Sequence, residues 1–108
     1  MTAPSPQVET RKRLRGQILE LLDENHSQQR SRLTDVILWG VLQRLKYDVS
    51  QNEVLTLLED LHDRGYVKYS SVKNAQTGVR RLSQIEITPD GRDVLEGTSQ
   101  DDAVYVLR

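Results

Sequence analysis

The segment Val49-Ser-Gln-Asn-Glu-Val-Leu-Thr-Leu-Leu-Glu-Asp-Leu-His-Asp-Arg-Gly65 contains the signals for both ends of one helix. Ser50 and Glu53 form a capping box, in which the serine oxygen accepts from the Glu53 N–H and the glutamate carboxylate reaches the Ser50 N–H. Arg64 lies in the last turn, where a cation suits the helix dipole, and Gly65 suits the left-handed conformation that follows many helices. These signals predict a helix of about four turns.

One face of this helix is apolar. Val54, Leu57, Leu58 and Leu61 recur at helical spacing, and Val49 can pack on Val54 as a hydrophobic staple. We expect this face to pack into a core, while the opposite face is available to a partner.

Length and composition limit the classes of protein that fit. The chain has 108 residues, which predicts a single domain, and it has no cysteine and therefore no disulfide or thiolate metal site. No apolar run approaches the ~20 residues of a membrane span, and the N-terminus lacks the apolar segment of a signal peptide. A cytoplasmic protein is expected. With a net charge of −1, any nucleic-acid binding must come from charge segregation.

Two helices are predicted before the quoted segment. Residues 1–7 are expected to be a disordered arm, followed by a helix over residues 8–25 that starts with a basic cluster at residues 11–15. A second helix, capped by Ser31 or Thr34, is expected to run to about Tyr47, and a tight turn then makes a helix-turn-helix. This second helix is apolar on more than one side. Either Trp39 closes the edge of the core, or a second copy of the chain or the N-terminal arm covers the remaining apolar surface.

A β-hairpin and a short helix are predicted after Gly65. Strands over residues 66–72 and 79–87 flank a turn-forming segment, and Lys73, Arg80 and Arg81 lie near the hairpin tip. Thr88 and Pro89 are typical of a helix start, and this helix should end near Gly97. Residues 98–108 form a tail that is apolar near its end and is expected to pack on the domain or on a partner.

The order of elements resembles a winged-helix domain, an α+β fold that is mostly helical. The resemblance covers residues 14–97 and rests on the apolar face and end of the third helix, and on Ile85-Glu-Ile-Thr-Pro-Asp-Gly-Arg92 as the second wing strand leading into the last helix. Such segments are similar to those of PadR-like regulators and of small winged-helix proteins from Mu-like phages and prophages.

The resemblance implies a bacterial or phage transcriptional regulator that binds double-stranded DNA. The helix would lie in the major groove and the wing along the adjacent backbone. The implied base contacts are Gln51, Asn52, Leu55 and Thr56, since amides pair with adenine edges and methyl groups touch thymine. The implied backbone contacts are Lys73, Arg80, Arg81, Arg30 and Arg32.

The same helix also supports a different hypothesis. Its outward face carries Glu59, Asp60 and Asp63, each of which a phosphate would repel. Together with Leu55, these acids fit a surface that binds protein rather than DNA, and fold alone does not give function. A structural role in a larger assembly, with the apolar tail as its connector, is a third interpretation.

An enzyme is not predicted. The sequence contains no glycine-rich phosphate loop, no Gly-x-Ser-x-Gly and no His-Glu-x-x-His motif. Its two histidines, His26 and His62, are far apart in sequence and have no evident partner set. We therefore assign no catalytic residue, cofactor or metal site.

Overall fold

A computed structural model describes residues 6–27 and 33–106 of the chain. It is an α+β protein whose elements are α1 (Pro6–Ser27), α2 (Asp35–Arg44), α3 (Gln51–Asp63), β1 (Val67–Lys73), β2 (Arg80–Ile87) and α4 (Pro89–Glu96). Helix α1 begins at Pro6 and ends at Ser27, so it extends past both ends of the predicted helix. The other parts of the predicted N-terminal arm, and Ser31, lie outside the described residues.

Helix α3 has the predicted ends. The Ser50 Oγ accepts from the Glu53 N–H at 3.1 Å, and Gly65 follows the helix with φ 82°. The Glu53 carboxylate accepts from the Ser50 hydroxyl at 3.3 Å, where the prediction placed it on the Ser50 N–H. The staple residues Val49 and Val54 are both buried, so they fix how the chain enters the helix.

Helix α2 is shorter than predicted. It is capped by Thr34 and ends at Arg44, not near Tyr47. The following turn contains no glycine, and Lys46 takes a left-handed conformation with φ 72° instead. This conformation costs a non-glycine residue roughly 1–2 kcal/mol, and it stops the helix three residues earlier than the apolar pattern suggested.

The two strands form an antiparallel hairpin. Val67 pairs with Ile87 at the base, Lys73 pairs with Arg80 near the tip, and the register shifts between these ends. Gln84, with φ 53°, lies in the irregular part of β2. Next to it, Leu33 forms an isolated bridge to Ile85, so the segment before α2 adds a third strand position to the sheet. The hairpin is thereby held against the helices.

The core lies between the helices and one face of the hairpin, and it includes Leu38 and Leu42 of α2 and Val94 of α4 as well as residues of α1, α3 and both strands. Helix α1 contacts α3, α4 and β2, and it contributes Leu14, Ile18, Leu19 and Leu22 to the buried cluster. Helix α3 contributes its whole apolar face, with Leu58 and Leu61 fully buried. Within the described ranges, every helix is too short or too polar to cross a lipid bilayer.

Candidate nucleic-acid interface

The outward face of α3 is accessible beside the hairpin. Asn52 and Thr56 are exposed, whereas Gln51 and Leu55 are half-buried. Leu55 packs partly against the core, so it presents less apolar surface than its sequence position suggested. The Thr56 hydroxyl donates to the Asn52 backbone carbonyl oxygen at 3.1 Å. The four residues predicted to contact bases thus share one end of α3.

Glu59 lies next on this face and is joined to the wing. Its carboxylate accepts from the Arg80 guanidinium at 2.7 Å, and the other terminal nitrogen of Arg80 lies 3.4 Å from the Ser71 hydroxyl. About two-fifths of each charged side chain remains accessible, with values of 42% for Glu59 and 40% for Arg80. The pair therefore neutralises an acid that would repel phosphate, and it also occupies a cation that was predicted to bind phosphate.

Asp60 faces α1 rather than the hairpin. Its carboxylate lies 2.7 Å from the Arg15 Nε and 3.4 Å from the Arg64 Nε. Asp63 is different, because its side chain is 82% exposed and its nearest ionisable partner is the His62 ring at 3.7 Å. Of the acids predicted to form a protein-binding surface, Asp63 is thus the most available, while Glu59 and Asp60 are paired with arginines.

The remaining hairpin cations differ in their surroundings. Lys73 is exposed at the turn and forms no ion pair with any residue in the described ranges. The Arg81 Nη1 lies 3.7 Å from the Asp35 carboxylate, which is buried at the start of α2. Arg30 and Arg32 lie outside the described residues. Lys73 and the half-exposed Arg81 are therefore the wing cations best placed to meet a phosphate.

A cleft separates α1 from the base-contact end of α3. It encloses about 400 Å³ and is lined by Arg11, Leu14, Arg15, Glu53, Thr56, Leu57 and Asp60. The cleft thus brings Arg11 and Arg15 of α1 next to Glu53, Thr56 and Asp60 of α3. No prediction covered this cleft, because the contact between α1 and α3 is long-range.

Two of the arginines in this region pair with Asp60, and neither pair was predicted. Arg64 lies four positions after Asp60, and this i,i+4 spacing is a signal that sequence reasoning can use. Arg15 reaches Asp60 from another helix, and no local pattern reports such a pair. Among the described residues, no three histidine, aspartate or glutamate side chains are grouped to hold a metal ion. No protein-family model and no curated protein matches this chain.

Proposed function

We propose that this protein is a winged-helix DNA-binding protein, a transcriptional regulator of bacterial or phage origin. The observation that supports the proposal is the accessible N-terminal end of α3, where Asn52 and Thr56 are exposed on a helix whose Glu59 is joined to the cation-bearing hairpin. In this arrangement, α3 enters the major groove and the hairpin tip follows the backbone. The amide of Asn52 reads an adenine edge, and Lys73 and Arg81 position the protein on phosphates.

Pairing of the α3 acids also supports this function. A row of free carboxylates would repel the DNA backbone, but Glu59 and Asp60 each have an arginine within 2.7 Å. The face is therefore close to neutral at its centre, with Lys73 near the hairpin tip as a cation that has no ion pair within the described residues. Because the net charge of the chain is only −1, this local distribution decides whether a polyanion is attracted.

Fluorescence anisotropy with random duplex DNA tests the proposal. Binding should weaken as salt is added, because phosphate contacts release counterions. Replacing Arg80 and Arg81 together by alanine should weaken binding to all sequences, whereas replacing Gln51 and Asn52 should change the preferred sequence. Absence of binding at low salt, or binding that is indifferent to salt, contradicts the proposal.

The alternative partner is a protein that binds the acidic and apolar face of α3. The exposure of Asp63 and the half-exposed Leu55 favour this function. Replacing Glu59, Asp60 and Asp63 by alanine separates the two functions. Affinity for DNA should rise or stay level after these changes, while a protein partner that uses the acids should be lost.

A second copy of the chain is a further proposed partner. On α2, Ile37 is 51% exposed and Val36 is 39% exposed, and Leu45 beyond the helix end is 46% exposed. A dimer through this face would present two α3 helices to DNA. Light scattering across micromolar concentrations should then show a dimer that Ile37→Asp dissociates, whereas a monomer throughout contradicts this arrangement.

A further inference from the structure

Residues 101–106 of the C-terminal tail cross α1 by backbone contacts. The Tyr105 N–H donates to the Lys12 carbonyl oxygen at 3.1 Å, and the Arg15 Nη1 donates to the Ala103 carbonyl oxygen at 3.1 Å. Gly16 makes this crossing possible, because a Cβ at Gly16 would overlap the Tyr105 carbonyl oxygen. The tail therefore has a defined position on α1, where its backbone packs directly against Gly16.

Asp101 anchors the start of the tail. Its carboxylate accepts from the Tyr66 hydroxyl at 2.6 Å, from the Arg64 Nη1 at 3.2 Å and from the Ala103 N–H at 2.8 Å. Only 15% of the Asp101 side chain is accessible. This carboxylate thus links the tail both to the end of α3 and to the loop that leads into the hairpin.

The tail engages three cations on this side of the molecule. Besides Arg64 and Arg15, the Lys12 ammonium lies 5.3 Å from the centre of the Tyr105 ring, within the range of a cation–π contact. Arg15 also lines the cleft that contains Thr56, one of the predicted base contacts. In this position of the tail, the Asp101 carboxylate lies 3.2 Å from the Arg64 Nη1, close to the proposed DNA-binding face.

Few side chains of the tail are buried. Within residues 98–106, Val104 is the one buried side chain and belongs to the core cluster, Val106 packs partly against that cluster, and these residues form no helix or strand. Segments with few buried apolar contacts open at a lower free energy than the whole domain. The tail can therefore leave α1 while the core of α1, α3 and the hairpin stays folded.

We propose that the tail is an autoinhibitory latch that keeps Lys12, Arg15 and Arg64 from contacting a polyanion. Opening the latch removes the Asp101 carboxylate from Arg64, the Ala103 carbonyl oxygen from Arg15 and the Tyr105 ring from Lys12. Asp60 still pairs with both arginines, so Lys12 gains most freedom to contact a backbone phosphate on the α1 side of α3. This inference rests on the proposed DNA binding and adds regulation to the same site. The agent that opens the latch is the duplex itself, whose phosphates compete with Asp101 for Arg64.

Gly16→Ala in the full-length chain tests the latch, with Gly40→Ala as the matched control. Both changes place the same methyl group inside a helix and improve helix propensity. At Gly16 the new Cβ meets the tail, whereas at Gly40 no heavy atom lies within 4 Å of it. Amide hydrogen exchange at Tyr105, whose N–H donates to the Lys12 carbonyl oxygen of α1, reports whether the tail is open, and anisotropy with random duplex DNA reports binding.

With the latch open, Gly16→Ala should lose protection at the Tyr105 amide and bind DNA roughly tenfold more tightly at low salt. Its salt slope should steepen by about one unit, since each phosphate contact contributes about 0.9 and Asp60 still pairs with Arg15 and Arg64. Asp101→Asn, which keeps the shape of the side chain and removes its charge, should shift binding in the same direction. Gly40→Ala should match the wild type in both measurements.

Three results overturn parts of this scheme in distinguishable ways. If Gly16→Ala opens the tail but binds DNA no more tightly than Gly40→Ala does, the latch is wrong and DNA binding stands. If Gly16→Ala keeps wild-type amide protection, the position of the tail at Gly16 is wrong. If the tail opens and no variant binds duplex DNA, the proposed function fails along with the latch.

Discussion

The Arg80 guanidinium donates a 2.7 Å hydrogen bond to the Glu59 carboxylate, and this contact joins the wing to the outward face of α3. The two residues lie on different elements, so the pair helps to set the distance between the hairpin and α3. It also holds Arg80 away from any phosphate that the hairpin approaches. A single ion pair thus sets both the shape and the charge of the proposed interface.

Glu59→Gln should strengthen binding to random duplex DNA severalfold. The change removes a like charge from the face of α3 and releases Arg80 to contact a phosphate, so the salt slope should steepen by about one unit. Asp63→Asn is the control, because it removes the same charge from the same face without freeing an arginine. Equal effects of the two variants in a salt titration would show that Glu59 does not restrain Arg80.

A different pair of donors stabilises the turn between α2 and α3. The Trp39 Nε1 and the Gln43 Nε2 both donate to the Val49 carbonyl oxygen, at 2.7 Å and 2.8 Å. Trp39→Phe or Gln43→Ala alone should each cost about 1 kcal/mol, because the other donor still satisfies the oxygen. The double variant should cost more than the sum, since the carbonyl then loses both side-chain donors. Urea denaturation of the four proteins measures the coupling, and strict additivity contradicts a shared role.

The signals that predicted the helix ends correctly are local ones. Ser50 and Thr88 each accept a hydrogen bond from the amide three residues later, as helix caps should. Gly65 and Gly97 each have φ 82° just past a helix end. Such features depend on a few neighbouring residues, so a sequence contains all the information that is needed to recognise them.

The features that the sequence did not predict depend on distant partners. The acids of α3 seemed to offer an unpaired negative face, yet Arg80 and Arg15 reach Glu59 and Asp60 from elements far away in the chain. No periodicity reports which arginine a given carboxylate will meet. Lys46 is another case, because the turn geometry after α2 imposes a left-handed conformation that its residue type does not favour.

Thr88→Ala should destabilise the protein by roughly 1–2 kcal/mol. The Thr88 hydroxyl accepts from the Gly91 N–H at 3.1 Å and donates to the Gly65 carbonyl oxygen at 2.6 Å, so it joins the start of α4 to the end of α3. Thr88→Ser keeps both bonds and should cost much less in urea denaturation. If serine were as damaging as alanine, the methyl group and not the hydroxyl would be responsible.

The anchor of the tail should hold only within a window of pH. Burial raises the pKa of Asp101, but hydrogen bonds from the Tyr66 hydroxyl and the Ala103 N–H, with the charge of Arg64, outweigh it and lower the pKa overall. A carboxyl group whose pKa is depressed by folding stabilises above its unfolded pKa of about 3.9, and this contribution is lost as the pH falls through the folded pKa. The tail should therefore loosen in acid.

At the alkaline end, Tyr66 sets the limit of the same window. The hydrogen bond to Asp101, followed by burial, raises the pKa of Tyr66 to about 12. The protonated phenol thus contributes stability below its unfolded pKa of about 10, and this contribution disappears as the pH rises from 10 to 12.

Asp101→Asn should lower the pKa of Tyr66, although the Asp90 charge still raises it slightly. NMR titration of the tyrosine rings measures the change, with Tyr69 as the control because burial and the Glu59 charge raise its pKa without Asp101. An unchanged Tyr66 titration in Asp101→Asn would mean that the phenol and the carboxylate are not bonded in solution.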